Sequence, residues 1–318
     1  MNQPRKELLN RQLQKEIQPG VDRVAGMMDR CVNYGTHLIV KCDHAAQQKD
    51  VVAAVMLGLH AVEVLDSIAV LIRKCCVDPA KILLRSQMEA MFGIEYMTQR
   101  DSERKAMQYL VAHAHARIDW YEKLDPTTER GKQLKAQIKK DSTFNELDIV
   151  AFDTTANIHN LENMLARPEF AAVEAEWQKV RRERSGQIWW YSLYEGPKGI
   201  EELAEAVGDH GWYEVLYRIY SGEMHATNAM ESLHATHDMR AVYQPLRYPT
   251  DLPGVAQLAV SMGLRTYRNL IGMLLPEEKL PYANWFTKEI KADYDGLGTF
   301  NIVDRSRPSR TPAKRPTP

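Results

Sequence analysis

The segment from Lys49 to Cys76 constrains the fold more than any other part of the chain. On a helix that turns about 100° per residue, its apolar side chains occupy almost every face. These apolar residues include Val51, Val55, Leu59, Val62, Leu65, Ile68 and Leu71. A helix that is apolar on all sides is covered by neighbouring elements, so the segment predicts the central helix of a bundle, buried all round. His60, Glu63 and Asp66 interrupt the run, which therefore falls short of the ~20 apolar residues of a membrane span, and we expect no membrane contact.

The rest of the chain predicts helices as well. Aromatic residues make up only 8% of the sequence, and long stretches of helix-forming residues lack the glycine-based signals of hairpins. The predicted helices cover roughly residues 5–17, 21–42, 79–99, 101–124, 200–207, 210–239 and 255–275, and residues 127–140 are polar all round and form an exposed helix or arm. We therefore predict an all-α protein, a multi-helix bundle with no sheet beyond an incidental hairpin.

The chain divides into three predicted regions. Residues 1–42 form N-terminal helices, residues 43–278 form the main helical-bundle domain, and residues 279–318 form an extended region and a tail. The last residues, 305–318, are basic and rich in proline, and they cannot bury apolar surface. We expect this C-terminal tail to be disordered.

Charge and cysteine content predict the cellular setting. The 41 basic and 42 acidic residues leave a formal charge of -1, so no global field attracts nucleic acid, and any such contact must be local. The four cysteines lack the spacing of a disulfide framework or of a common zinc motif, and they are best interpreted as buried thiols. Together with a polar N-terminal stretch, they predict a cytoplasmic protein. No phosphate-binding glycine loop or dinucleotide signature occurs, and we predict no cofactor.

The first candidate site residues are Arg85 and Glu89. They lie four residues apart, on one face of a helix whose other residues are strongly apolar. Stranding either charge in a low-dielectric interior costs several kcal/mol, so the two must be paired or must face a polar cavity. The pair is either part of a functional site or an intrahelical salt bridge that also caps neighbouring backbone.

The second candidate lies between residues 217 and 225. Arg218, Ser221, Gly222 and His225 fall along one stripe of a helix, and the glycine leaves a gap there. Such a gap allows another helix or a ligand to approach the backbone closely. The alternative interpretation is a tight helix crossing at Gly222 with a hydrogen-bonded histidine in the core.

Three short motifs resemble an uncharacterised bacterial all-helical family, one of the domains of unknown function. An Arg-Ser-x-x-Glu motif is followed by a Trp/Tyr segment and then by Tyr-Ser-x-x-x-His. The residues that carry the resemblance are Arg85, Ser86, Glu89, Trp190, Tyr191, Tyr220, Ser221 and His225. The resemblance covers roughly residues 40–275. It implies a helical fold and a site, but no established reaction.

The spacing from Arg218 to His225 also resembles the Arg-x(4–6)-His motif of the HEPN superfamily. HEPN domains are often dimeric, metal-independent ribonucleases of bacterial defence and toxin systems. In that chemistry a histidine moves protons at a ribose 2′-hydroxyl and an arginine stabilises the charge of the transition state. The spacing carries little information by itself, because Arg30 and His37 show it too. Ile219 also replaces the polar residue that often follows the arginine.

Three residues after the second candidate could in principle bind a metal, but the sequence supports a metal site only weakly. Glu231 and His234 form one Glu-x-x-His unit, and His237 follows. A di-iron bundle needs two such units and two further glutamates, and this sequence has a single unit. We predict no metal, although the sequence alone does not decide whether Glu231, His234 and His237 bind one.

Two hypotheses follow for the function. In the first, the protein is a metal-independent ribonuclease or a toxin or defence effector, which acts on RNA as a homodimer. His225 is then the acid or base, Arg218 or Arg85 stabilises the phosphate charge, and Glu89 orients one of them, with Tyr220 and Ser221 completing the site. In the second, the chain is a non-enzymatic interaction or ligand-sensing module. The same side chains then form a structural polar network, buried and mutually satisfied.

Overall fold

The computed structural model describes residues 4–5, 8–9, 11, 17–48, 51–140, 154–225, 229–235 and 241–297. The first helices are α1 (Gln18–Gln48), α2 (Val52–Arg73), α3 (Val77–Met97), α4 (Ser102–Leu124), α5 (Glu129–Ile138), α6 (Thr155–Leu165), α7 (Ala171–Glu183) and α8 (Ile200–Ala206). A continuous helical segment follows, made of α9 (His210–Trp212), a π-helical turn (Tyr213–Tyr217) and α10 (Arg218–Met224). The last helices are α11 (Leu252–Leu274), α12 (Lys279–Trp285), a second π-helical turn (Phe286–Ile290) and α13 (Lys291–Asp295).

Short elements connect these helices. Single 3-10 turns lie at Pro168–Phe170, Trp190–Ser192, Ala229–Ser232 and Pro276–Glu278. Within the described ranges, the strands are β1 (Leu233–Ala235) and β2 (Ala241–Tyr243), an antiparallel pair with Leu233 opposite Tyr243. The predicted all-α fold with an incidental hairpin is confirmed.

The core is built around α2, which packs against α1, α3 and α11. Leu65, Ile68 and Ile72 of α2 are fully buried between these helices. The prediction that α2 is buried all round was wrong, because Leu59 and Val70 are 46% and 51% exposed on its outer side. Of the described helices, α2 is long and apolar enough to cross a membrane, but half of its most apolar stretch is buried in the protein, as in a core helix.

A smaller apolar cluster lies beside the main core. Val111 and Ala114 of α4 pack there with residues of α6 and α7, among them Leu165 and Trp177. This cluster fixes α4 at the side of the bundle. The segment that carries Trp190 and Tyr191 also lies against α4.

The prediction of one helix over residues 210–239 was wrong. The observed helical segment ends at Met224, and residues 233–235 pair with residues 241–243 as strands. The sequence there contains good helix formers, so the hairpin pairing overrides a local preference that is worth less than ~1 kcal/mol per residue.

The structure also differs from the prediction at both ends. Pro19 and Gly20 lie in the first turn of α1 instead of breaking a helix, because a proline there has no hydrogen-bond partner to lose. The region from residue 279, predicted to be extended, contains α12 and α13, and ion pairs of Arg23 and Arg30 with Asp293 hold α13 on α1. The predicted helix over residues 5–17 and the tail lie largely or wholly outside the described residues. The division into three regions stays a prediction, and its first boundary falls within α1.

Candidate functional site

A closed hydrogen-bond network joins α3 to the segment α9–α10. Arg85 donates from Nη2 to the Tyr217 hydroxyl at 2.6 Å, and that hydroxyl donates to Oε1 of Glu89 at 2.6 Å. Arg85 also donates from Nη1 to Ser221 Oγ at 3.1 Å and from Nε to Glu89 at 3.3 Å. We call these four residues, Arg85, Glu89, Tyr217 and Ser221, the Arg85 cluster. It joins two predicted site residues on α3 to the predicted Ser221. Arg85 bonds to Ser221 directly, and Glu89 bonds to Arg85 both directly and through Tyr217.

The local structure explains why these side chains meet. Arg85 and Glu89 lie one turn apart on α3, and Tyr217 and Ser221 lie one turn apart on the facing helix. The π-helical turn ends at Tyr217. It holds one residue more than a regular helical turn, so the side chains before it are rotated about the helix axis by about 100° relative to those of α10. Residues before the π-helical turn therefore point in directions that a regular helix would not predict.

Burial and charge keep the Tyr217 phenol protonated. Only 6% of Tyr217 is exposed, and burial raises the pKa of its hydroxyl, an effect that the hydrogen bond to Glu89 reinforces. The Arg85 guanidinium also lies over the Tyr217 ring, with Cζ 4.4 Å from the ring centroid. The phenol therefore remains a hydrogen-bond donor to Glu89 at neutral pH. The network reaches solvent through Glu89, whose side chain is 47% exposed.

The predicted Trp/Tyr segment borders the Arg85 cluster. Tyr191 is buried, and burial raises the pKa of its hydroxyl, with the negative charge of Glu89 adding to the effect. Trp190 packs edge-on against Tyr109 at 5.6 Å between ring centroids. Ser86 faces away from the cluster and lies 3.2 Å from Nε2 of His60. The motif residues therefore surround α3, but they do not converge on one point.

Three predicted site residues lie elsewhere. Arg218 points outward, with 60% of its side chain exposed, and bonds to Glu214 on its own helix at 3.0 Å. Half-buried Tyr220 lies near Lys81, whose positive charge acts on the Tyr220 hydroxyl. His225 is exposed and follows the last residue of α10. Interpreting His225 as a core histidine was therefore wrong, because the residue is exposed.

Sequence reasoning missed Tyr217. Its position gave the necessary signal, since it lies four residues before Ser221 and so shares a helix face with it. The missing information was the direction of that face, which the contact between α10 and α3 fixes.

A second buried polar cluster was also missed. Arg265 of α11 donates to both carboxylate oxygens of Glu95, at 2.9 Å from Nε and 2.8 Å from Nη2, and also to Asp209. Asn269 donates to Glu95 at 3.1 Å. We call Glu95, Asp209, Arg265 and Asn269 the Arg265 cluster. Arg265 and Asn269 lie one turn apart in an apolar helix, which is the same signal that indicated Arg85 and Glu89.

Burial dominates the electrostatics of the Arg265 cluster. It raises the pKa of Glu95 to about 7, and the neighbouring Asp209 adds to the shift while Arg265 opposes it. Asp209 directly precedes α9. The cluster therefore ties the start of the α9–α10 segment to α3 and α11.

Metal binding finds no support in the part of the chain that the structure describes. No group of three or more His, Cys, Asp or Glu side chains there is placed to hold an ion. His237 and the side chains of Glu231 and His234 lie outside that part. Cys31, Cys42 and Cys75 are buried, as predicted, whereas Cys76 is partly exposed. Burial raises the pKa of the Cys31 and Cys42 thiols to about 12. Such thiols are poor nucleophiles at neutral pH.

Comparison with known proteins gives a family but no function. No curated protein and no solved structure gives a significant match to the chain. A family model described as a family of unknown function, DUF5677, matches residues 52–241, from α2 to the first residue of β2. The match contains all predicted site residues, whereas Arg265 lies outside it. It confirms the resemblance to an uncharacterised all-helical family, over a shorter span than predicted. With more than half of its length matched, the chain belongs to the DUF5677 family.

Proposed function

We propose that this protein is a non-enzymatic, ligand-sensing helical module in which the Arg85 cluster locks α10 onto α3. The observation that carries the proposal is the closed loop of hydrogen bonds between Arg85, Tyr217 and Glu89. Each of the three guanidinium nitrogens of Arg85 has a partner within the chain, including Sδ of Met224 at 3.7 Å. The polar groups thus satisfy one another, as in a structural network.

A catalytic role of Arg85 would require a different arrangement. An arginine that stabilises phosphate charge directs its donors at the substrate. Here a substrate would first have to displace Ser221 or Tyr217, and the released side chain would need a new partner. Only 17% of the Arg85 side chain is exposed, which limits such access.

The ribonuclease hypothesis remains the second proposal, and one observation favours it. Arg218 and His225 are both exposed on the same helical segment, two turns apart. Both side chains are therefore accessible to RNA or to a second protomer. In this proposal His225 acts as acid or base and Arg218 stabilises charge, and Arg85 only supports the helix that carries them.

One experiment separates the two proposals. Purified full-length protein is incubated with structured and single-stranded RNA in EDTA, and wild type is compared with His225→Ala and Arg218→Gln. The ribonuclease proposal expects cleavage by wild type and a loss of ~10²–10⁴ in rate for His225→Ala. The ligand-sensing proposal expects no cleavage by any of the three proteins, and wild-type cleavage that depends on His225 would overturn it.

A further inference from the structure

A pocket opens between α11 and the segment formed by α12 and the second π-helical turn. Its volume is about 570 Å³, which is within the size range of small-molecule sites. Leu264 and Ile271 of α11 form one wall, and Phe286 of the π-helical turn forms part of the other. The pocket lies apart from the Arg85 cluster, and none of the predicted site residues lines it.

The pocket wall is held rigidly by aromatic contacts. The hydroxyl of Tyr282, which lines the pocket, donates to the backbone oxygen of Leu264 at 2.8 Å. The Tyr282 ring stacks on Trp285, and Trp285 stacks on Tyr34 of α1 with 4.0 Å between ring centroids. A ligand that enters the pocket therefore meets a preformed surface, which reduces the entropy lost on binding.

Two exposed positive charges line this pocket. Arg268 and Lys279 line it and are both exposed. Across the residues with described positions, neither side chain forms an ion pair with a carboxylate. Arg265 lines the pocket too, but Glu95 and Asp209 already neutralise it. The two unpaired cations beside apolar walls therefore complement a ligand with one anionic group and one apolar body.

We propose that the pocket between α11 and α12 binds a small amphipathic carboxylate. Its apolar part lies between Leu264, Ile271 and Phe286, and its carboxylate bonds to Arg268 and Lys279. Such bonds are charge-assisted and stronger than those between neutral groups. The ligand class follows from the apolar walls and the two positive charges together, since an uncharged ligand would form no charge-assisted bond with either cation.

This inference deepens the ligand-sensing function proposed above and rests on it for its biological meaning. Arg265 connects the two regions, because it lines the pocket and also bonds to Asp209 directly before α9. A ligand in the pocket therefore touches a side chain that holds the α9–α10 segment. Ligand binding and the role of the Arg85 cluster are measured separately, so either can fail alone.

The test measures ligand affinity for the full-length protein by isothermal titration calorimetry at low ionic strength. Octanoate is the probe, octan-1-ol has the same chain without the charge, and acetate has the charge without the chain. We expect octanoate to bind at least about tenfold more tightly than either analogue, since it alone uses both the walls and the cations. Arg268→Gln combined with Lys279→Gln should weaken octanoate binding by about tenfold or more.

Matched variants keep the test decisive. Lys288→Gln removes an exposed positive charge from the neighbouring π-helical turn without lining the pocket, and it should leave binding unchanged. Ala283→Trp fills the pocket from the exposed side of α12 and should abolish binding without altering a charge. The proposal would be wrong if octan-1-ol or acetate bound as tightly as octanoate. It would also be wrong if Lys288→Gln weakened octanoate binding as much as the double variant Arg268→Gln and Lys279→Gln. Binding to phosphatidylglycerol vesicles without binding of free octanoate would overturn it as well, in favour of a membrane surface.

Discussion

Removing one oxygen atom from the Arg85 cluster tests whether this cluster stabilises the fold. Tyr217→Phe deletes the hydroxyl that accepts from Arg85 and donates to Glu89, both at 2.6 Å. The phenylalanine ring still fills the same space and still faces the Arg85 guanidinium. The substitution therefore removes two hydrogen bonds without opening a cavity in the core.

The cost follows from how each former partner recovers. A hydrogen bond to a charged group contributes ~1.5–3 kcal/mol, so the two bonds set the upper range of the effect. Arg85 keeps its bonds to Ser221 and Glu89, and Glu89 is 47% exposed and can bind water instead. Only part of the two contributions is therefore lost, and we expect a loss of ~1–3 kcal/mol in the free energy of unfolding. For a chain of 318 residues that lowers Tm by roughly 1.5–4.5 °C.

Thermal denaturation followed by circular dichroism measures the effect. Tyr243→Phe is the matched control, because it makes the same chemical change at a side chain that is 76% exposed. Its Tm should equal that of wild type. If Tyr217→Phe and Tyr243→Phe melted at the same temperature, the Arg85 cluster would contribute nothing to stability, and the structural network proposed here would be wrong.

Three further predictions concern other parts of the molecule. Gly35→Ala places a Cβ 2.3 Å from the hydroxyl of buried Tyr267 and should cost at least ~1–3 kcal/mol, measured by urea unfolding, whereas Gly272→Ala meets open space and should be neutral or stabilising. His225→Ala should leave Tm unchanged, since His225 is exposed, and a drop of several degrees would show that His225 has a structural partner. Burial raises the pKa of Glu95 to about 7, above the ~4.3 of an unfolded glutamate. The stability that Glu95 adds is therefore complete at low pH and is lost as the pH rises through 7, so between about pH 5 and pH 8 the wild-type Tm should fall relative to that of Glu95→Gln. A constant difference in Tm over that range would contradict the shift.

Hydrophobic periodicity predicted the parts of the fold that depend on local sequence. The central position of α2 followed from its apolar residues, and the bounds of α4 were correct within one or two residues. The exposed side of α2 could not be predicted, because it depends on how many helices surround α2. The ends of α10 and the presence of α12 and α13 depend on packing against other elements, and no local pattern encodes that packing.

The candidate site shows the same limit. Two charged residues in an apolar helix predicted that Arg85 and Glu89 need polar partners, and the structure supplies them. The partner Tyr217 was missed because the orientation of its helix was unknown. Arg265 was missed although it lies in an equally apolar helix, where the same argument applies. The cost of an isolated buried charge therefore predicts that a partner exists, but the identity of the partner depends on the tertiary fold.

The two polar clusters act on one helical segment. Arg265 of α11 holds Asp209, directly before α9, and Arg85 of α3 holds Tyr217 and Ser221 at the π-helical turn and α10. The segment between these attachments has few fully buried side chains, so its position depends strongly on the two arginines. The surface position of exposed Arg218 and His225 therefore depends on Arg265 and Arg85 together, because the two arginines hold opposite ends of the segment that carries them.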